Sequence, residues 1–303
     1  MRANPETPAV HWKKVTLVGV GLLGGSLGLA LRRRKLAGSV AGFVRRRASL
    51  RECEKVGAVD CATLDLSEAV RGSDLVVLCT PIAQMEPLTK QMLPFLKRGA
   101  IVTDVGSVKK SVVQNLSKLV ATAGAHFVGS HPMAGSEKTG VAAARAELFI
   151  DAVCVVTPDR HSDRTAVRRV VGLWKSVGSR VLQMSPEAHD QLVSRSSHLP
   201  HVVAAQLANL VLGPGATKEQ TLLCANGFRD STRIASSSPE MWRDIALANR
   251  DNLLGALDNF MAGLTTFKRI LKNGDPAAVS RFFEQAKARR DQWSRNSGSH
   301  SPE

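Results

Sequence analysis

Tyrosine is absent from this chain of 303 residues, and aromatic residues together make up only 4% of it. No phenolic hydroxyl is therefore available as an acid or base, and no aromatic surface accompanies the basic residues. The 41 lysines and arginines outnumber the 26 acidic residues and give a net charge of +15. Because the basic residues are spread widely, we expect a solvated surface and small anionic ligands, not nucleic acid.

Cysteines are few, and long hydrophobic runs are lacking. The five cysteines are odd in number and show no pair spacing, which favours reduced thiols in a cytoplasm over disulfides or zinc. The most apolar stretch, residues 15–31, is rich in glycine and is followed by four basic residues. Since the N-terminus also contains no apolar signal core, the sequence predicts a cytoplasmic protein without a membrane span.

Strand and helix patterns alternate in the first half of the chain. Apolar runs predict strands over residues 14–19, 39–44, 75–80, 100–105, 127–130, 152–157 and 180–184. Helical patterns occupy residues 22–34, 109–121 and 163–177. This alternation predicts a doubly wound (Rossmann) α/β domain with a parallel sheet and right-handed crossovers over residues 1–184.

The pattern becomes helical after residue 184. Ser185 and Pro186 form a favoured helix start, and apolar periodicity continues to residue 293. We therefore expect an all-α domain over residues 185–293, followed by a disordered tail at 294–303 and no further regulatory domain. Apolar helical faces at residues 192–212 and 241–270 favour a homodimer. The active site is expected in the cleft between the two domains, at the carboxyl ends of the strands.

A glycine motif, GVGLLG at residues 19–24, follows the first predicted strand and opens a helix. Gly19 permits a tight turn, Gly21 lets the backbone approach a pyrophosphate, and Gly24 allows the helix to pack on the strand. Leu22 and Leu23 begin the helix whose N-terminus would receive the phosphates. The sequence therefore predicts a dinucleotide site.

The end of the second predicted strand bears on the choice of dinucleotide. An acidic residue at this position binds the ribose hydroxyls of NAD. Here Val44 occupies it, followed by Arg45, Arg46 and Arg47. Three guanidinium groups suit a 2′-phosphate, so the sequence predicts NADP, with NAD as the alternative. A basic helix start that simply faces solvent is the other interpretation.

His131 lies in GSHPMAGSEK, residues 129–138, directly after a predicted strand. A histidine at a strand end beside a nicotinamide is well placed to accept a proton while a hydride leaves. The alternative is a strand-to-loop turn that contains an incidental histidine.

Further motifs make the chain similar to the prephenate/arogenate dehydrogenase family of tyrosine biosynthesis over almost its whole length. They are GVGLLGGSLG at 19–28, LCTPI at 78–82, TDVGSVK at 103–109, GSHPMAGSEKTG at 129–140, SPEAHD at 185–190, SHLPHVVA at 197–204, GFRDSTRIA at 227–235 and MWRDI at 241–245. The resemblance implies oxidative decarboxylation of prephenate to 4-hydroxyphenylpyruvate, or of arogenate to tyrosine. Since those substrates differ only in a keto or amino group, the sequence does not rank them firmly; a donor at His201 would favour the keto acid.

The resemblance also implies roles for individual residues. His131 matches the base that accepts the hydroxyl proton, Ser107 the serine that orients it, and Arg233 the arginine that pairs with the ring carboxylate. The other matched substrate-binding positions are His201, which faces the side chain, the more structural His198, the wall residues His189 and Trp242, and Ser136, Glu137 and Asp230 at the pocket mouth. Glu137 as a helix cap or surface carboxylate remains open. The cofactor-binding positions are Gly19, Gly21, Leu22, Leu23, Gly24, Val44, Arg45, Arg46, Arg47, Thr80, Pro81 and Ser107.

Three alternatives are weighed against this interpretation. His198 and His201 have the spacing of a helical metal pair, but no further ligand of clear spacing accompanies them, so no metal is expected. A β-hydroxyacid dehydrogenase would use a lysine in the helical domain, and none lies beside SHLPH. A nucleotide-sensing module without activity would not need His131, Ser107 and Arg233 together.

Overall fold

The computed structural model describes residues 11–136 and 138–298. In the described residues the strands are β1 Trp12–Val18, β2 Ala37–Phe43, β3 Cys61–Thr63, β4 Leu75–Leu78, β5 Ile101–Asp104, β6 His126–Pro132, β7 Val153–Thr157 and β8 Arg180–Gln183. The α-helices are α1 Leu22–Arg33, α2 Arg47–Val56, α3 Leu66–Val70, α4 Ile82–Met92, α5 Lys110–Thr122, α6 Arg164–Ser176, α7 Pro186–Val193, α8 Leu199–Val211, α9 Lys218–Leu222, α10 Asn226–Thr232, α11 Pro239–Ala248, α12 Arg250–Asn273 and α13 Pro276–Gly298. Short 3₁₀ turns occupy Leu93–Phe95, Val141–Ala143 and Arg233–Ser236, and a π-helical turn occupies Ser194–His198.

The strands form one sheet in the order β3-β2-β1-β4-β5-β6-β7-β8. Its first six strands are parallel and have the order of a doubly wound dinucleotide-binding domain. The strand order reverses between β1 and β4, where such folds bind their ligands. The predicted Rossmann domain followed by helices is confirmed.

Strand β7 departs from the predicted parallel sheet. It pairs antiparallel with β6, so that His131 lies opposite Val155, and β8 then runs parallel to β7. Residues 133–152 between β6 and β7 contain only a 3₁₀ turn in their described part, whereas a parallel return uses a crossover that is usually an α-helix. The sheet is therefore mostly parallel.

Apolar side chains cover both faces of the sheet. In β4, Leu75 and Val77 pack into one buried cluster and Val76 and Leu78 into another, as alternation along a strand requires. Helices α1 and α6 contribute to the first cluster, and α3, α4 and α5 contribute to the second. This double cover explains why β4 is a continuous apolar run in the sequence.

The described chain divides into two compact units after Arg250. Helices α7 to α11 belong to the first unit, where α7 contacts α5 and β7, and α11 contacts α4. The predicted domain boundary at 184/185 stays a prediction. Ser185 caps α7 by accepting a hydrogen bond from Ala188 N at 3.2 Å, with Pro186 in the first turn.

The second unit contains α13 and most of α12. Phe267 of α12 stacks on Phe282 of α13 with ring centroids 4.4 Å apart. Other apolar side chains of this unit, including Leu264, Leu271 and Phe283, are more than half exposed. Helix α13 continues to Gly298, beyond the predicted domain end at 293, and the rest of the predicted tail lies outside the described residues.

None of the helices in the described part of the chain combines the length and apolarity that a bilayer crossing requires.

Gly28 provides a stability test of the packing between α1 and the loop that joins α2 to β3. A Cβ atom at this position would lie 1.9 Å from the carbonyl oxygen of Ala58. We expect Gly28→Ala to lower the free energy of unfolding by about 1–3 kcal/mol, the usual cost of overpacking. Denaturant unfolding measures it. Gly21→Ala is the control, because a Cβ there meets nothing within 4 Å. Equal stabilities of the two variants would contradict the packing argument.

Candidate active site

His131 lies near the carboxyl end of β6 and is only 6% exposed. Its Nδ1 is 2.8 Å from Nε2 of His189, and the two rings meet edge to face. His189 Nδ1 is in turn 2.8 Å from Oδ1 of Asp190. Both of these partners are buried residues of α7. A continuous chain of hydrogen bonds therefore joins His131 to a buried carboxylate.

Asp190 also binds the N-terminus of α5. Its Oδ1 accepts from the backbone N–H of Lys109 at 2.7 Å, and its Oδ2 accepts from that of Lys110 at 2.9 Å. The first N–H groups of a helix have no partner within the helix, and its dipole favours negative charge there. A carboxylate at this point is therefore stabilised even though it is only 1% exposed.

Asn249 connects this chain to a third histidine. Its side-chain amide donates to the backbone carbonyl of Asp190 at 2.8 Å and lies 3.1 Å from Nδ1 of His198. The ring of His198 is fully buried, and its Nε2 has no hydrogen-bond partner among the described residues. The histidines of α7 and of the π-helical turn thus share one polar network.

A buried ion pair lies beside His131. Lys109 Nζ binds Asp104 Oδ2 and donates to the carbonyl of Ser130 at 2.9 Å. The other oxygen of Asp104 accepts from Ser130 N at 3.0 Å, and the Ser130 hydroxyl accepts from the indole N–H of Trp174 at 3.0 Å. Both charged side chains are fully buried, so their hydrogen bonds are what makes the burial tolerable.

The surroundings keep His131 neutral. Burial is the main reason that its pKa lies well below the ordinary value of 6.5, and charge on His189, Lys109 and His198 lowers the pKa further. Burial likewise lowers the pKa of His198 to about 4. A neutral imidazole has one nitrogen that accepts a proton, which is what a general base requires.

Ser107 follows β5 and is half-buried. No hydrogen bond joins its hydroxyl to His131 among the described residues; instead, His189 holds Nδ1 of that ring. In this structure the orienting contact comes from α7, because the Asp190 contact brings His189 against β6. The Nε2 atom of His131 is the other ring nitrogen and is directed away from this contact.

The predicted substrate-binding residues of α8 and α11 form a second group. His201 stacks on Trp242 with ring centroids 3.7 Å apart, and His198 meets the same indole edge to face. His201 is half-buried, and burial is the main reason that its pKa is lowered; the charge of Arg233 contributes. Arg233 itself is exposed, on the 3₁₀ turn that packs against α8.

The residues predicted at the pocket mouth are less constrained. Asp230 is exposed on α10. Ser136 is also exposed, and its hydroxyl accepts a hydrogen bond from Lys138 N at 3.2 Å. Glu137 lies outside the described residues.

The glycine loop fits a dinucleotide. Gly19 has φ +97°, and an added Cβ would lie 2.9 Å from the carbonyl of Cys79. A Cβ on Gly24 would lie 2.1 Å from the carbonyl of Gly19, whereas one on Gly21 meets nothing within 4 Å. Two glycines are thus required by packing and the third leaves space open at the start of α1. No side chain caps that helix start, and its first turn contains no acid, so its N–H groups suit a phosphate.

Two neighbouring strand ends extend this site. Thr80 follows β4, and its buried hydroxyl has no hydrogen-bond partner among the described residues. Pro81 caps α4 in an extended conformation. Since β1, β4, β5 and β6 are parallel, the glycine loop, Thr80, Ser107 and His131 lie at the same edge of the sheet.

The end of β2 has the predicted character. Val44 is buried, and its N–H donates to the carbonyl of Thr63 at 3.0 Å. Arg45, Arg46 and Arg47 are exposed, and within the described residues no ion pair involves them. Arg46 is the N-cap of α2 and gives no side-chain cap. The helix therefore begins with free N–H groups surrounded by positive charge.

A family model described as the nucleotide-binding domain of prephenate dehydrogenase matches residues 27–183. A second, described as the dimerization domain of prephenate dehydrogenase, matches residues 185–285. The chain belongs to the prephenate dehydrogenase family. The glycine loop lies just before the first matched range, and the helices from α7 onward carry the match to the second domain.

Individual members of the prephenate dehydrogenase family are similar over most of their length. The cyclohexadienyl dehydrogenase of Zymomonas mobilis is 37% identical over 92% of this chain and 95% of its own. The prephenate dehydrogenase of Bacillus subtilis is 35% identical over 91% of this chain and 75% of its own.

Solved structures agree with this assignment. The Aquifex aeolicus prephenate dehydrogenase, in complex with hydroxyphenyl propionate and NAD⁺, has a TM-score of 0.86 and 32% identity over 92% of this chain and 98% of that one. The Synechocystis arogenate dehydrogenase has a TM-score of 0.77 and 31% identity over 92% and 99%. A 3-hydroxyisobutyrate dehydrogenase of Salmonella typhimurium, 14% identical with a TM-score of 0.60 over 84% and 95%, shares the fold alone.

Several polar residues of the site were not singled out from the sequence. Asp190 lies within the quoted motif SPEAHD, and Asp104 and Lys109 lie within TDVGSVK, but nothing in the spacing shows that they are buried together. Asn249 carries no motif signal. Among the described residues no group of three or more His, Cys, Asp or Glu side chains could hold a metal ion.

The buried histidines predict a pH dependence of stability. His198 has a pKa of about 4 when folded and an ordinary value of 6.5. Between these values the unfolded chain binds a proton that the folded chain does not, so its contribution lowers the free energy of unfolding as pH falls through this window. His198→Asn keeps an acceptor for Asn249 but removes this titration. Denaturant unfolding across the window should therefore show a shallower slope in the variant, and an equal or steeper slope would contradict the assignment.

Proposed function

We propose that this enzyme catalyses the NADP-dependent oxidative decarboxylation of prephenate to 4-hydroxyphenylpyruvate. The observation that carries the proposal is a neutral, buried His131 at the sheet edge that also holds the glycine loop. The family relationship supports the reaction class. The cofactor rests on the residues of this chain, whereas prephenate is placed first because both matching family models are described as domains of prephenate dehydrogenase.

His131 has the properties that the reaction needs from a base. The ring hydroxyl of the substrate would donate its proton to Nε2 of His131, while the carbon that bears this hydroxyl loses a hydride. A bound nicotinamide would supply the hydride acceptor. As the carbonyl forms, the ring carboxylate leaves as carbon dioxide, and its bonding electrons complete the aromatic ring. The oxygen, now a phenolate, takes a proton back from His131 to give the phenol of the product. Burial favours the neutral base before the reaction and positions it for proton transfer.

Charge on the substrate is the second requirement. We assign the ring carboxylate to Arg233, because a planar guanidinium can bind a carboxylate through two hydrogen bonds. Arg233 is close enough to His201 for its charge to lower the pKa of that ring. Trp242 would form a wall, and its buried indole N–H, which has no partner among the described residues, is an available donor. Ser107, Ser136, Glu137, Asp230 and His198 keep their predicted positions around the substrate as part of this proposal.

Arogenate is the second candidate substrate, and His201 favours it. The Nδ1 of His201 donates to the carbonyl of Ser197 at 3.0 Å, and its lowered pKa keeps the ring neutral. Its Nε2 is then an acceptor, which suits the ammonium group of arogenate. The donor expected at this position for the keto group of prephenate is already bound to the carbonyl of Ser197 in the preceding π-helical turn. A solved arogenate dehydrogenase with 31% identity is consistent with either substrate.

NADP is proposed over NAD on the residues at the end of β2. Val44 has no oxygen acceptor in its side chain for a ribose hydroxyl, and three free guanidinium groups follow it. The Aquifex aeolicus structure contains NAD⁺, so family membership alone does not decide the cofactor. The absence of a carboxylate at Val44 supports the 2′-phosphate.

A homodimer is part of the proposal. Ala204 is the one buried residue of α8 although the helix is strongly apolar, and Leu210 is 72% exposed. The second matched family domain is described as a dimerization domain. Association of two copies through such apolar faces would remove them from water.

Removing the base tests the proposed reaction. We expect His131→Asn to lower kcat by about a hundredfold or more, because general-base catalysis typically contributes this much. Cofactor reduction by the purified enzyme is measured with prephenate and, separately, with arogenate, and the specificity constants rank the two. His126→Asn, at the other end of β6, is the matched control.

Wild-type turnover in His131→Asn would remove His131 from the mechanism. A wild-type enzyme that oxidises neither compound would refute the proposed function. A tenfold advantage for arogenate would make it the substrate.

Removing two arginines tests the cofactor. The wild type should prefer NADP by about tenfold or more, since one well-formed charge-assisted hydrogen bond is worth about 1.5–3 kcal/mol. Arg45→Gln/Arg46→Gln should bring the ratio of specificity constants for NADP and NAD close to one. The control Arg164→Gln/Arg168→Gln removes the same charge from exposed positions on α6. Equal use of both cofactors by the wild type would overturn the assignment.

A further inference from the structure

The contact between His131 and His189 has a direction that the hydrogen-bond network determines. Two ring nitrogens face each other at 2.8 Å, so one must donate and the other accept. Which of them donates decides whether the outer nitrogen of His131 carries a proton or a lone pair. The answer therefore decides whether His131 can act as a base at all.

The direction of the hydrogen bonds is determined first at Asp190. Its Oδ1 lies 2.8 Å from Nδ1 of His189, and an ionised carboxylate only accepts hydrogen bonds. The helix start of α5 supports the ionised form, because both carboxylate oxygens accept from its backbone N–H groups. The proton on His189 is therefore on Nδ1. If the ring of His189 is neutral, Nε2 is an acceptor.

The acceptor on His189 determines which nitrogen of His131 carries the proton. Since His189 Nε2 accepts, His131 Nδ1 must carry the proton and donate it. A neutral His131 then has its lone pair on Nε2, the nitrogen that points away from α7. The only other arrangement requires His189 to be an imidazolium. That cation would be fully buried, with only the Asp190 carboxylate to balance it, and this carboxylate already accepts from two N–H groups of α5.

We propose that His189 is a positioning residue, which together with Asp190 fixes His131 in the tautomer that is protonated on Nδ1 and basic on Nε2. His189 does not need to touch the substrate for this role. When His131 accepts the hydroxyl proton on Nε2, it becomes an imidazolium that still donates through Nδ1 to His189. The nearby Asp190 carboxylate stabilises this positive charge. The Lys109 ammonium opposes it, but the ion pair with Asp104 offsets part of that ammonium charge, and His198 is neutral. The inference rests on the proposed function only for the identity of the proton donor.

The tautomer can be observed directly, without turnover. Nitrogen-15 spectra of the histidine-labelled wild-type enzyme distinguish a protonated ring nitrogen from one with a lone pair, and His131→Asn identifies the His131 signals among the eight histidines. We expect a protonated Nδ1 and a lone-pair Nε2 on His131. A neutral His131 protonated on Nε2 in the wild type would overturn the proposal, whether or not the enzyme oxidises prephenate or arogenate.

Two substitutions of His189 test the consequence for catalysis. His189→Leu removes the acceptor, and we expect kcat to fall about tenfold or more, as when the orienting group of a catalytic histidine is lost. KM and the dissociation constant of the cofactor should stay within about twofold, because His189 does not contact the ligands in this proposal. His189→Gln offers an amide oxygen in place of Nε2 and should recover part of the lost kcat. His126→Leu is the matched control on the same strand as His131.

Each outcome is decisive. An unchanged kcat in His189→Leu contradicts the proposal, as does a rise in KM with unchanged kcat, which would make His189 a wall of the substrate pocket. If His189→Leu does not fold, the wild-type spectrum and His189→Gln still decide. Loss of the fixed His131 tautomer together with a lower kcat in His189→Leu supports the proposal. Failure of the wild type to oxidise either substrate refutes the proposed function and leaves the spectral result unaffected.

Discussion

The carboxylate of Asp190 is the interaction on which the site depends. It accepts a hydrogen bond from the N-terminus of α5 and holds His189 against β6. The backbone carbonyl of the same residue accepts a hydrogen bond from Asn249. A single buried side chain thus joins the sheet to the helices that follow it. Because an unpaired buried charge is strongly unfavourable, loss of the contact with α5 or with His189 leaves the carboxylate less well solvated by the protein.

Lys109 links the carboxylate of Asp190 to a second buried carboxylate, that of Asp104. Lys109 contributes its backbone N–H to Asp190 and its ammonium to Asp104, so one residue binds two carboxylates through different atoms. This arrangement places two buried carboxylates and one ammonium group close to His131 in the folded chain. Burial, together with the nearby charge of Lys109, keeps His131 neutral in a region that contains so many polar atoms. The ion pair between Lys109 and Asp104 explains why the short segment TDVGSVK contains both an acid and a lysine with no exposure to solvent.

The sequence predicted those parts of the molecule in which local pattern and packing agree. The apolar runs of β1 and β4, the glycines of the loop and the Ser185 cap each have a local cause, and each was located from spacing alone. The antiparallel direction of β7 was not predicted, because it depends on the lack of a crossover helix in the described part of residues 133–152. The contact of His189 with His131 was missed as well, since residues 58 positions apart meet only through the packing of α7 on β7 and α5. The role predicted for Ser107 came from resemblance and stays a prediction; the hydrogen bond at Nδ1 of His131 in the structure is made with His189.

The lack of tyrosine has an optical consequence. Near-ultraviolet emission from this protein comes from four indoles, and each occupies a different environment. Trp12 is buried beneath the guanidinium of Arg169, and Trp174 is buried on the hydroxyl of Ser130. Trp242 stacks on the imidazole of His201, which can quench it, while Trp293 is 60% exposed on the last helix. Intrinsic fluorescence therefore reports on the sheet core, on the stacked pair of Trp242 and His201, and on α13, with no phenolic background to subtract.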